Sequence, residues 1–178
     1  MYAKSIIVIV ALASLLVRPA IASEISPQTI FELTNNARTK HGLAPLAHSQ
    51  TLEQAAIAKT QDMVTQEYFD HIGPNGQTPW AIMDKVGYQY EYGGENLAVG
   101  FNSAEDMVQT WLDSPSHRQN LLEPNFEDIG IAALPAVVDG LPDLIVVQMF
   151  GSLVEDTRKK ELTGYINSLL GVSDVVTN

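Results

Sequence analysis

The side chains best suited to chemistry here are two histidines and a glutamate carried by separate segments. His71 closes Tyr68-Phe69-Asp70-His71, Glu95 sits in Gly93-Gly94-Glu95-Asn96-Leu97, and His117 lies in Ser114-Pro115-Ser116-His117-Arg118. Neutral imidazoles and a carboxylate are common protein ligands of an open zinc site that keeps water in its fourth position. Gathered in one cleft, the three would hold Zn2+ or another divalent cation. Glu95 would then act as a ligand or as general base on the bound water. The spacing alone leaves the matter open, because nothing here has the local geometry of a His-Glu-x-x-His helix. The simpler readings are that His117 caps a helix by hydrogen bonding and that Glu95 ties down a glycine loop.

Neighbouring polar and aromatic residues are weighed in the same way. Ser114 and Ser116 flank His117, but residues on one short helix rarely align a nucleophile with its base. No Gly-x-Ser-x-Gly turn is present either, so Ser114 reads as an N-cap. Tyr88, Tyr90 and Tyr92 alternate ahead of Glu95, and either rim a groove or pack one face of an extended segment. Trp80 and Trp111 have helical spacing to apolar neighbours and read as core anchors. His41 and His48 read as solvated loop histidines. Gln148 alternates with Val147 and Met149, which points it to the cleft side of a strand.

These groups must be positioned by helices and a small sheet. Ser26-Pro27 supplies an N-cap and a first-turn proline for a helix to about Thr39, with Gly42 as its C-terminal stop. Ser49 opens a second helix to about Glu67, with Leu52, Ala55, Ala56, Met63 and Val64 as its apolar stripe. A loop from Tyr68 leads to Thr78-Pro79 and a short helix ending at Gly87, and Glu95–Val99 reads as a short strand or extended loop. Ser103 opens a helix carrying Met107, Val108, Trp111 and Leu112, and Ser114-Pro115 begins a short one carrying His117 and Asn120. Two strands, Ile129–Leu134 and Leu144–Phe150, flank the turn signal Asp139-Gly140. Helices followed by a hairpin predict an α+β sandwich in which helices cover a small antiparallel sheet. Residues 156–170 predict an amphipathic helix docked on that sandwich through Leu162, Ile166 and Leu169. Ser173–Asn178 reads as a frayed end.

Composition narrows the partners. Lys4, the apolar run Ser5–Val17 and Ala20-Ile21-Ala22 read as a signal peptide over residues 1–22, cleaved before Ser23. The run is shorter than the roughly 20 residues of a membrane span, and an uncleaved anchor is the competing reading. The expected setting is secreted, extracellular or periplasmic, with no transmembrane span in the mature protein. The net charge of −11 gains nothing from counterion release and argues against a nucleic-acid partner. The chain has no cysteine, which excludes disulfides, thiolate ligands and a cysteine nucleophile.

Several multi-residue blocks in order resemble the CAP superfamily of cysteine-rich secretory, antigen 5 and pathogenesis-related proteins, also called the SCP domain. They are Leu33-Thr34-Asn35-Asn36-Ala37-Arg38, Gly42-Leu43-Ala44-Pro45-Leu46, Tyr68-Phe69-Asp70-His71, Gly94-Glu95-Asn96-Leu97-Ala98, Trp111–Leu122, Pro124-Asn125-Phe126 and Val147–Gly151. The resemblance covers residues 26–151 and leaves 152–178 as an extension. It implies a three-layer α-β-α sandwich with a central cleft. His71, His117 and Glu95 would line the cleft and hold zinc or another divalent ion, with Asp113, Tyr92, Asn96 and Gln148 beside them. Many eukaryotic relatives carry a second glutamate shortly after the tryptophan matching Trp111, where this chain reads Leu112-Asp113-Ser114. That departure shifts the expected function from a metal-assisted hydrolase with Glu95 as base toward a module binding a lipid, a peptide or a cell-wall component.

Overall fold

A computed structural model describes residues 24–138 and 140–170; the leader reading over residues 1–22, the frayed end at 173–178 and Asp139 of the hairpin lie outside them. In chain order the elements are α1 (Pro27–Lys40), β1 (Ala47–His48), α2 (Gln50–Thr65), α3 (Pro79–Lys85) and β2 (Tyr90–Ala98). They continue with α4 (Ala104–Asp113), α5 (Pro115–Leu121), β3 (Asp128–Val138), β4 (Leu141–Leu153) and α6 (Glu155–Leu170). Four of the expected caps form, because each satisfies an orphan N–H in the first helical turn. Ser26, Ser49, Thr78 and Ser103 accept from Thr29, Leu52, Ala81 and Asp106 respectively. Gly42 ends α1 at φ 76°, and Glu67 takes φ 54° after α2, which stops that helix at Thr65.

The sheet order is β1-β3-β4-β2. The three long strands are antiparallel, and the two-residue β1 joins parallel to β3, so the sheet is mixed rather than wholly antiparallel. No periodic signal marks β1, because two residues are too few to alternate. The strand carrying Glu95 starts at Tyr90, earlier than expected, since a bulge between Tyr90 and Tyr92 absorbs the irregular aromatic stretch.

Alternation along β4 splits the core into the two halves of a sandwich. Val146 and Phe150 pack with Ile30, Met107, Trp111, Leu121 and Phe126 beneath α1, α4 and α5. Ile145, Val147 and Met149 pack with Leu52, Ala55, Met63 and Met83 beneath α2 and α3. The fold is the expected α-β-α sandwich. One expectation fails: α6 buries no residue, and Leu162, Ile166 and Leu169 stay exposed. Its first turn is held by Thr157 on Gln89 and by Arg158 on Glu127. An amphipathic pattern sets the face a helix could bury, but whether it docks depends on a complementary surface within reach.

Candidate functional site

Glu95 and His71 meet. The His71 Nδ1 lies 2.6 Å from Glu95 Oε1. The carboxylate side chain is 2% exposed and the imidazole 53%, so the pair runs from interior to surface. The other carboxylate oxygen, Oε2, is buried without a hydrogen-bond partner. Burial pushes the Glu95 carboxyl above its ordinary range, and the bond to His71 opposes that shift only in part. The same bond raises the His71 imidazole above its ordinary 6.5.

Lys59 sets where His71 stands. It occupies the apolar stripe of α2, four residues from Ala55 and from Met63, and is fully buried. Its ammonium donates to the carbonyls of Asp70 (2.7 Å) and His71 (2.8 Å) and to the Tyr68 hydroxyl (3.1 Å). Those bonds tie the loop to the helix, and the buried cation faces the Glu95 charge. Lys59→Met leaves three acceptors without their donor. A loss of roughly 2–3 kcal/mol follows from unsatisfied groups of this kind, with faster amide exchange across Asp70–Gly73. Unchanged melting and unchanged exchange would refute the clamp.

A cleft of about 390 Å3 opens beside the pair, lined by His71, Ile72, Thr78, Pro79, Trp80, Gly93, Gly94, Glu95 and Asn120. Trp80 is 38% exposed and lies against Gly93, where a Cβ would meet its ring at 3.1 Å; it is a wall of the cleft, not the core anchor its spacing predicts. Asn120 reaches in from α5, donating to the Glu95 carbonyl (2.8 Å) and to Asn96 Oδ1 (3.0 Å). Glycine at residue 94 leaves room for this approach, since a Cβ there would stand 3.1 Å from Asn120 Oδ1 and 2.6 Å from Phe126 Cζ. The signal for Asn120 was its position three residues after His117, one turn along the same helix face. Nothing local marked Trp80 or Ile72. A larger groove of about 590 Å3, between the end of α2 and the β3–β4 hairpin, carries Glu67 but no histidine.

His117 stands apart from this lining. Its Nδ1 is 2.8 Å from the Ser114 Oγ and its ring centroid 6.5 Å from that of Trp111. Ser114 therefore takes the N-cap position of α5 without capping it, its hydroxyl spent on the imidazole. Burial, and then the charge of His71, lower the His117 imidazole below its ordinary value. Asn96 and Gln148 are fully buried rather than cleft-lining. Asn96 donates to the His117 carbonyl (3.2 Å) and Gln148 to Thr34 (2.9 Å), forming a polar layer behind the site. They lie on the α1 face of the sheet because strand residues alternate, whereas Glu95 faces α2. Asp113 is exposed and held by Gln109, and Tyr92 is exposed outside the lining. Tyr88 is buried and donates to Asp128 Oδ2 (2.7 Å). Of the three alternating tyrosines, then, the first is core and the last is surface.

The donor set does not form a metal shell in this arrangement. Each histidine has its Nδ1 engaged by a protein oxygen. Among the described residues no three His, Asp or Glu side chains stand together closely enough to hold one ion. The arrangement is a hydrogen-bonded carboxylate–imidazole pair with one carboxylate oxygen left over.

The titrations follow with definite signs. Glu95 and His71 both bind protons more tightly folded than unfolded. Stability from Glu95 is therefore lost as pH rises above 4.5, and from His71 as it rises above 6.5. His117 acts oppositely, its contribution being lost as pH falls below 6.5. In an NMR titration His71 is expected above 6.5 and His117 below it. In Glu95→Gln, His71 should fall back to its ordinary value or lower, because burial remains while its main stabilising partner has lost its charge. An unmoved His71 titration would show that the pair is not its cause.

The comparisons with known proteins agree with this architecture. Residues 31–150 match the profile of the Cysteine-rich secretory protein family, CAP. The chain is 44% identical over 102 residues to the uncharacterized protein YkwD of Bacillus subtilis (strain 168), covering 57% of this chain and 40% of that protein. It is 30% identical over 106 residues to the uncharacterized membrane protein YlbC of the same organism, covering 60% of this chain and 31% of the other. It thus spans well under half the length of these curated relatives. Among solved structures it resembles an extracellular SCP-domain protein from Bacillus anthracis str. Ames, with TM-score 0.60 and 32% identity over 70% of this chain and 39% of that one. An outer surface protein from Borrelia burgdorferi shares the fold at TM-score 0.62 and 24% identity, over 75% of this chain and all of the other. With the ordered blocks, the sandwich and the profile in agreement, the chain belongs to the CAP family of cysteine-rich secretory proteins, although it carries no cysteine of its own.

Proposed function

We propose that this chain is an exported ligand-binding module that takes an extracellular ligand into the cleft at Glu95. The observation that carries the reading is Glu95 Oε2, a carboxylate oxygen buried with no partner. Leaving such an acceptor unmade costs on the order of 1–3 kcal/mol, and a ligand donor would recover it. Beside it stand the His71 imidazole, the Asn120 amide and the half-exposed Trp80 ring, a few polar groups against an apolar wall. The leader-like N-terminus and the description of the B. anthracis relative as extracellular support export. No helix among the described residues is long and apolar enough to cross a membrane. Hydrolysis with Glu95 as base would need a metal-held water, and among the described residues no three His, Asp or Glu side chains stand close enough together to hold the ion.

The test is a 1H–15N NMR titration of the protein with three probes: an N-acetylglucosamine tetramer, a short peptide mixture and palmitate. One class is expected to shift Glu95, Gly94 and Asn120 and to bind about tenfold more weakly to Glu95→Gln, as loss of one charge-assisted hydrogen bond implies. Shifts confined to the larger hairpin groove, or equal binding to Glu95→Gln, would overturn the reading.

A further inference from the structure

The cleft runs along a free sheet edge. In the order β1-β3-β4-β2, β2 has a neighbour on one side only among the described residues. Which of its backbone groups face outward follows from the register. Val154 donates its N–H to the Gln89 carbonyl (3.0 Å), so even-numbered residues of β4 turn their backbone toward β2. Phe150 then pairs with Gly94 and Gln148 with Asn96. Gly93, Glu95 and Leu97 are left with their N–H and C=O groups pointing away from the sheet. Side chains confirm this at two of the three, since Trp111 Nε1 donates to the Leu97 carbonyl (3.0 Å) and Asn120 Nδ2 to the Glu95 carbonyl. The inner part of the edge is therefore capped by α4 and α5. The Gly93 N–H and C=O and the Glu95 N–H have no such cap among the described residues, and both residues line the cleft.

We infer that the ligand is an extended peptide that adds as a further strand on the edge of β2 at Gly93–Glu95. The inference rests on the cleft reading above and deepens it. Proteins usually blunt an open edge with lysine, proline or a bulge. Here the bulge lies upstream, between Tyr90 and Tyr92, and the open stretch holds two glycines and Glu95. A Cβ at Gly93 would meet the Trp80 ring on one face of the strand and a Cβ at Gly94 the Phe126 ring on the other, so both rings lie over the faces and leave the edge itself to backbone groups. The Gly93 carbonyl and Glu95 N–H flank one residue position, the acceptor–donor spacing that a parallel partner residue satisfies with its own N–H and C=O. Main-chain bonds of this kind supply affinity in strand addition, while flanking pockets read side chains. Trp80, Ile72 and Pro79 offer such an apolar wall, and the unpaired Glu95 oxygen offers an acceptor for a donor side chain. The acetamido N–H and C=O groups of a glycan hang off its sugar rings and do not follow the main-chain spacing of a strand, and a lipid chain would leave the polar groups of the edge unmet.

The experiment uses the full chain and a phage-displayed library of random octapeptides. A recovered peptide is synthesised, its binding followed by fluorescence anisotropy, and each of its residues N-methylated in turn. N-methylation is expected to weaken binding about tenfold or more at alternate residues and to change it little between them, since alternate N–H groups face the edge. Amide exchange at Gly93 and Glu95 should slow about tenfold or more on binding, with Gly94 and Asn96 unchanged. Recovery of no peptide, or binding indifferent to N-methylation, overturns the inference. So does protection of Gly93 and Glu95 in a concentration-dependent dimer without peptide, which would assign the edge to a second copy. If the glycan or palmitate probe shifts Glu95 and Asn120 while no peptide binds, the cleft reading survives and strand addition fails. If no probe of any class does so, both fail.

Discussion

Gly130→Ala is expected to leave little folded protein. A Cβ at residue 130 on β3 would stand 2.0 Å from the Glu53 nitrogen, 2.1 Å from the Leu52 carbonyl carbon and 2.5 Å from the Leu52 oxygen. All three are backbone atoms of the first turn of α2, so no rotamer change relieves the clash. The helix must lift off the sheet, and with it Leu52, Ala55 and Ala56, which are completely buried. Overpacking a core costs about 1–3 kcal/mol where side chains can adjust and more where they cannot. A loss above ~3 kcal/mol is therefore expected, a large share of the 5–15 kcal/mol typical of a domain. Lifting α2 also moves Lys59 and the loop it holds, so the His71 titration should return toward its ordinary value in whatever folds. Urea unfolding checks the first effect; a midpoint equal to wild type would show that α2 does not press on β3 at this point.

The second large effect is expected at Arg38, 1% exposed at the last turn of α1. Its guanidinium donates to four carbonyls: Ala44 (2.9 Å), Leu121 (3.0 Å), Glu123 (2.9 Å) and Phe126 (3.3 Å). Three of these form the end of α5 and the turn into β3, where the helix leaves its final C=O groups unsatisfied. Burial lowers the guanidinium from its ordinary value, and Glu123 partly offsets this, but a guanidinium remains charged. Arg38→Met keeps most of the volume and removes every donor. The cost is expected at about 3–5 kcal/mol, as for other buried charged networks that lose one member. Arg38→Lys should recover only part of it, because one ammonium cannot span four carbonyls. Since α5 carries His117 and Asn120, the Asn120–Glu95 contact should loosen too, visible as faster amide exchange along α5. Wild-type stability in Arg38→Met would refute the clamp.

Both residues were readable as elements but not as roles. Gly130 sits in the strand pattern Ile129-Gly130-Ile131, which gives its element and not the helix pressed against it. Arg38 follows Ala37 on the apolar side of α1, and Lys59 interrupts the apolar stripe of α2. A charge on such a face is a signal that something must be paired inside, yet only the folded chain names its partners. For Arg38 they are all backbone carbonyls, 83 to 88 residues away for three of the bonds, and for Lys59 they are two carbonyls and the Tyr68 hydroxyl.

The sequence by itself determined the helix starts, the two faces of β4, the sandwich and the family. Caps act within one turn and strand alternation within a few residues, so each is written locally. The ordered blocks then placed His71 and Glu95 near one another. Only the tertiary structure decided what they do there. It turned His71 onto one oxygen of Glu95 and left the other unpaired, moved His117 onto Ser114, put Asn96 and Gln148 behind the sheet, and brought Trp80 into the cleft wall. Among the described residues it also made β2 an edge, with backbone groups of Gly93 and Glu95 turned outward. Strand order and side-chain pairing depend on contacts between segments far apart in the chain, and no local period encodes them.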